Sequence, residues 1–261
     1  MDVGICRYRG LGSADWLQGH RAIIAVFVDD PVSSWRSCDR SEVEKHFRSA
    51  IEWVERQASD RGTGLHLSRM FLPHNCRVHR VGVRIGMRIN EMDVAAGRHH
   101  ATWMNCVLSR FLQKRGSVAG LWTELFTHHG PSDDGKPSAV FFCVRRDPIP
   151  CSIAFPFWQG EDGEFRKERG IIYDKGFGGQ WYLDSQIAHE LLHLFGAVDL
   201  ADGKIPTGHT ETLRAIRKNR EGNSVMFMPT QKPIDEYTIG DLTAFLIGWR
   251  DRTPDWLPNI A

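Results

Sequence analysis

The 261-residue sequence has almost no net charge: 33 basic and 32 acidic side chains leave it at +1. That balance removes the bulk electrostatic case for nucleic acid or an anionic membrane as partner. Arg145, Arg146, Arg166, Lys167 and Arg169 fall fairly close together, and a solvated face accounts for them. The longest apolar runs, AIIAVFV and LTAFLIGW, are far too short to cross a bilayer. The opening residues, MDVGICRYRG, lack the apolar core and cleavage site of a signal peptide. The six cysteines contain no CxxC pair, and no N-x-S/T sequon occurs. These absences lead to the expectation of a cytoplasmic protein with reduced thiols. Repeats, low-complexity tracts and long Pro/Gly/Ser linkers are missing too. A single compact domain over 1–261 is the expectation. Neither GxSxG nor GxxxxGK[ST] is present, so the nucleophile elbow and the phosphate-binding loop are excluded. KGFGGQ (175–180) is glycine-rich but lacks the dinucleotide fingerprint.

What is present suffices for a core: 41% hydrophobic residues, with nine tryptophans and fourteen phenylalanines. The apolar, β-branched run at 22–29 predicts an interior parallel strand. Next, Ser41 and Glu44 read as a capping box opening an amphipathic helix through Val43, Phe47, Ile51 and Val54. Strands are expected at 64–71, 79–87, 139–146 and 171–174, and a helix over 100–115. CSIAFPF (151–157) reads as extended, and Pro156 places it at a sheet edge. A last helix follows Thr238 as its cap, buries Leu242, Phe245, Leu246 and Trp249, and stops at Pro254. The order implies an α/β or α+β fold, with a mostly parallel sheet and one antiparallel edge strand.

The chemistry is concentrated in HELLHLFGAVD, residues 189–199. On a helix His189 and His193 lie one turn apart on one face, where both can reach one Zn²⁺. Glu190 is offset by one residue, placed to act on a water as general base rather than to bind the ion. A third ligand has to return toward the helix. Gly196 suits a left-handed helix end, after which Asp199 is the first side chain with a ligand atom. His209, in ADGKIPTGH, is the rival, and Asp202 a more remote choice. The doublets His99-His100 and His128-His129 diverge on regular elements and read as surface positions.

HELLHLFGAVD resembles the extended HExxHxxGxxH/D motif of the metzincins, a clan of zinc endopeptidases, in the Asp form of the snapalysin-like members. NSVMFMP (223–229) is similar to the methionine turn of that clan, with Met226 at its centre. The motif resemblance covers 189–229. It implies a twisted sheet and active helix in an N-terminal subdomain (1–196), and a C-terminal subdomain (197–261) holding the methionine turn and a final helix. Met228 stands where several families carry a tyrosine, so no tyrosine role carries over. A cysteine-switch prodomain is not evident.

The resemblance implies peptide-bond hydrolysis with Zn²⁺ as cofactor and a protein or peptide as substrate. The ligands are His189, His193 and Asp199 (or His209), and the general base is Glu190. Substrate is expected to pair along the edge strand through Cys151, Ser152, Ile153, Ala154 and Phe155. Two other readings stay open: a peptide-binding or regulatory protein on the same scaffold, and a zinc hydrolase of non-peptide amides. Retention of Glu190 argues against the first, because a purely structural site needs no base.

Overall fold

The structure is a computed structural model that describes residues 17–29, 34–72, 83–84, 139–145, 153–155, 169–173, 183–200, 223–227 and 232–256. It has an α/β fold. Strand β1 (Gly19–Asp29) is buried from Arg21 onward, as expected for a strand covered on both faces. It leads into helix α1 (Ser37–Asp60) and then β2 (Leu65–Leu72), which pairs with β1 in parallel, Gly19 opposite Leu65. The short strand β3 (Val83–Arg84) extends that side of β1. On the other side β4 (Ala139–Val144) lies parallel, with Ile23 opposite Ala139. Further out come β5 (Ile153–Phe155) and β6 (Arg169–Tyr173), in the order β2-β1-β4-β6-β5. The β4–β6 pair is parallel, and β5 closes the edge antiparallel to β6. The mostly parallel sheet with one antiparallel edge is therefore present. Of the strand expected at 79–87 only Val83–Arg84 falls within the described residues, and the helix expected over 100–115 falls outside them.

One sheet face carries Ile23, Ala25, Phe27, Phe141 and Cys143. These join Phe47, Ile51 and Val54 of α1, and Leu191 and Leu192 further along the chain, in one core cluster. Trp35 fixes the entry to α1. Its backbone N–H donates to Asp29 Oδ1 (2.7 Å), and its indole N–H donates to the Cys143 carbonyl (3.2 Å). These contacts override the expected capping box. The helix starts at Ser37 after an extended Arg36, with no side-chain cap. Ser41 is an exposed interior residue, and Glu44 turns forward to Arg48 (3.3 Å). Asp39 supplies the negative charge that the first turn favours, and it also pairs with Arg145 (2.7 Å).

Helix α2 (Leu183–His193) packs against α1, and the Ser49 hydroxyl donates to Asp184 across the contact (3.1 Å). The final helix, α3 (Asp241–Leu246), buries Leu242, Phe245 and Leu246, with Trp249 buried beyond its end. Both of its expected boundaries need correction. Gly240 holds the N-cap position, while the Thr238 backbone pairs with Asn223 and Val225 instead. The helix stops well before Pro254: Gly248 takes φ 86°, and Trp249 N–H bonds back to Ala244 (2.7 Å). Among the described residues no helix is long and apolar enough to cross a membrane.

Candidate metal centre

Helix α2 is buried from Ser185 to Leu192, while His193 at its end is partly exposed. His189 is 7% and Glu190 5% exposed. The i, i+4 spacing brings the two rings together edge to face, with centroids 4.4 Å apart and Nε2 atoms 3.0 Å apart.

The chain leaves α2 through a left-handed residue. Gly196 has φ 97°; Ala197 N–H bonds to Leu192 O and Gly196 N–H to His193 O, both at 3.1 Å. This is the Schellman pattern, in which glycine avoids the Cβ clash of the left-handed region. The turn swings Asp199 back over the helix. Its Oδ1 lies 3.2 Å from His189 Nε2 and 3.3 Å from His193 Nε2.

The other ring nitrogens meet backbone. His189 Nδ1 is 3.0 Å from the Val225 carbonyl, and His193 Nδ1 is 2.8 Å from the Ala197 carbonyl. A carbonyl can only accept, so each Nδ1 carries a proton and donates. In the neutral ring that leaves both Nε2 lone pairs aimed at one point, beside a carboxylate oxygen. Three acceptors without a donor between them repel one another. A cation, or a proton on one ring, relieves that.

The donor set fits a zinc ion. Bonds of about 2.0–2.1 Å in a tetrahedron put ligand atoms roughly 3.4 Å apart, and the observed separations are 3.0, 3.2 and 3.3 Å. Among the described residues, His189, His193 and Asp199 are the one group of three such side chains whose ligand atoms lie within 4.8 Å of one another.

Charge is consistent with this placement. Burial alone would raise the Asp199 pKa, but hydrogen bonds from His189 and His193, together with their charges, hold it well below the usual carboxylate range. Burial alone would lower the His193 pKa. The bond to Asp199, the charges of Glu190 and Asp199, and the Ala197 carbonyl outweigh that and raise it. Glu190 thus acts electrostatically on the same ring without being one of the three converging groups.

Beneath the rings runs the turn Asn223–Phe227. Met226 is fully buried, and its carbonyl accepts from Leu200 N–H at 3.0 Å. Two backbone contacts, at Val225 and Ala197, were missed from sequence. Gly196 signals the Ala197 contact, whereas nothing in the residue types signals that a carbonyl would reach His189. Ile153, Ala154 and Phe155 form the edge strand as expected, while Cys151, Ser152, Asp202, His209 and the two histidine doublets lie outside the described residues. No family model matches the chain, and no curated protein matches it.

Proposed function

We propose that the chain is a zinc-dependent endopeptidase of the metzincin kind, acting on protein or peptide substrates. The observation that carries this reading is the convergence of His189 Nε2, His193 Nε2 and Asp199 Oδ1, with a buried glutamate next in sequence to the first histidine. Met226 in its buried turn, and the antiparallel edge strand β5 on an otherwise parallel sheet, agree with it.

In this reading His189, His193 and Asp199 hold the ion. When bound, zinc supplies a Lewis acid for the scissile carbonyl and lowers the pKa of water at neutral pH. Glu190 accepts the proton of the attacking water and returns it to the departing amine. The Val225 and Ala197 carbonyls keep the imidazoles in the tautomer whose Nε2 is free. A peptide added alongside β5 would pair backbone to backbone, which gives affinity without demanding one sequence.

The test is metal analysis with a peptide-library cleavage assay on wild type, Glu190→Ala, Asp199→Ala and His209→Ala. Glu190→Ala is expected to keep zinc and lose at least about a hundredfold in kcat, and Asp199→Ala to lose zinc. Unchanged cleavage by Glu190→Ala rejects the endopeptidase reading. Zinc lost from His209→Ala but kept by Asp199→Ala reassigns the third ligand.

A further inference from the structure

The turn beneath the rings offers two successive carbonyls to two different parts of the centre. Val225 O accepts from His189 Nδ1–H at 3.0 Å. Met226 O accepts from the N–H of Leu200, the residue after Asp199, at 3.0 Å. One dipeptide therefore orients one ligand ring and tethers the segment that carries another ligand.

Ser224 makes that turn. It is fully buried. Its hydroxyl oxygen accepts from Met226 N–H (3.3 Å), and its carbonyl accepts from Phe227 N–H (2.9 Å). Side-chain and backbone oxygens of one residue thus hold the next three residues in a closed turn. Thr238 fixes the turn from outside: the Val225 N–H donates to its carbonyl (3.1 Å), and its own N–H donates to the Asn223 carbonyl (3.0 Å).

We propose that Ser224 is a positioning residue for the metal centre, its hydroxyl setting the direction of the Val225 and Met226 carbonyls and through them the His189 ring and the Asp199 segment. The role rests on the metal-centre reading for its purpose, but not for its geometry. Ser185 supplies the control. It too is fully buried, but its hydroxyl donates to the Lys232 carbonyl (3.2 Å) rather than bonding within the Asn223–Phe227 turn.

The experiment compares wild type with Ser224→Ala, Ser224→Cys, Ser224→Thr and Ser185→Ala. The first readout is the ¹⁵N-detected tautomer of His189 in chelator-treated protein at alkaline pH, where the rings are neutral. The second is Zn(II) affinity by chelator competition. Ser224→Ala is expected to mix the His189 tautomers and to weaken zinc roughly tenfold or more, the scale of losing an outer contact to a metal ligand. Ser224→Cys fills the same space with a weaker acceptor. It gives an intermediate result, and stands in if the alanine variant does not fold. Ser224→Thr, which keeps the hydroxyl, restores the single Nδ1–H tautomer, and Ser185→Ala leaves both readouts as in wild type. A wild-type tautomer in Ser224→Ala or Ser224→Cys overturns the proposal, as does an equal loss in Ser185→Ala. If wild type takes up no zinc, the metal-centre reading fails, while the tautomer comparison still decides the role of Ser224.

Discussion

Asp199 sets one carboxylate oxygen against two imidazole nitrogens, and this arrangement has opposite pH dependences with and without an ion. In the metal-free protein the His193 pKa is raised. Its stabilising contribution is complete below the unfolded value of about 6.5 and is lost as pH rises through the folded value. The Asp199 pKa is lowered, so its contribution is present above about 3.9 and is lost as pH falls toward the folded value. The metal-free centre therefore stabilises most between about pH 4 and about pH 6.5. Zinc needs deprotonated ligands, so its affinity climbs over the range in which the metal-free pair weakens. Calorimetric melts from about pH 6 to about pH 9 should show the zinc-induced rise in Tm growing with pH; a rise independent of pH contradicts the assignment of these ligands. In the proposed peptidase the same carboxylate would leave less positive charge at the site than a third imidazole, and so would acidify water less. The wild-type pH–rate profile is expected to lie to the alkaline side of an Asp199→His variant that keeps activity. Superimposable profiles would show that ligand charge does not set the optimum.

Elements were legible in sequence where one local rule agreed with tertiary packing. The run around Ile23–Val28 declared a strand buried on both sides, and Phe47, Ile51 and Val54 declared the inner face of α1. The capping box was not reliable, because the start of α1 is set by Asp29 and Cys143 holding Trp35, contacts distant in sequence. Thr238 failed as a cap for a similar reason: its backbone is committed to the turn beneath the metal centre. The end of α2 was readable, because only glycine takes φ 97° at low cost. The contrast can be measured. Ser41→Ala should change stability by less than about 0.5 kcal/mol in urea titrations, against about 1 kcal/mol for a true cap. Gly196→Ala should destabilise by about 1–2 kcal/mol and weaken zinc binding as well, because Ala197 O steadies His193. A cap-sized loss from Ser41→Ala, or a neutral Gly196→Ala, would refute this account of the two helix ends.

At the scale of the whole molecule, α1 is the member to which the sheet, α2 and the C-terminal segment are all fastened. Glu55 accepts from Leu67 N–H of β2 (2.6 Å), Ser49 reaches Asp184, and Arg61 pairs with Asp241 at the start of α3 (2.9 Å). Leu17, just before β1, is bonded to Ile247 and to the Trp249 indole, which ties the start of β1 to the end of α3. The two histidines stand differently within it. His193 is held by a carbonyl four positions away in the chain, whereas His189 is held by one 36 positions away. The first is oriented as soon as its own helix caps. The second is oriented only after the C-terminal segment has docked, and such long-range closure comes late because chain entropy opposes it. On the proposed zinc reading, ion capture would therefore serve as a clock for the last stage of folding. In stopped-flow refolding with a zinc indicator present, tight uptake should trail the recovery of helical circular dichroism. Simultaneous phases would mean that the distant carbonyl is not needed to make the pocket competent.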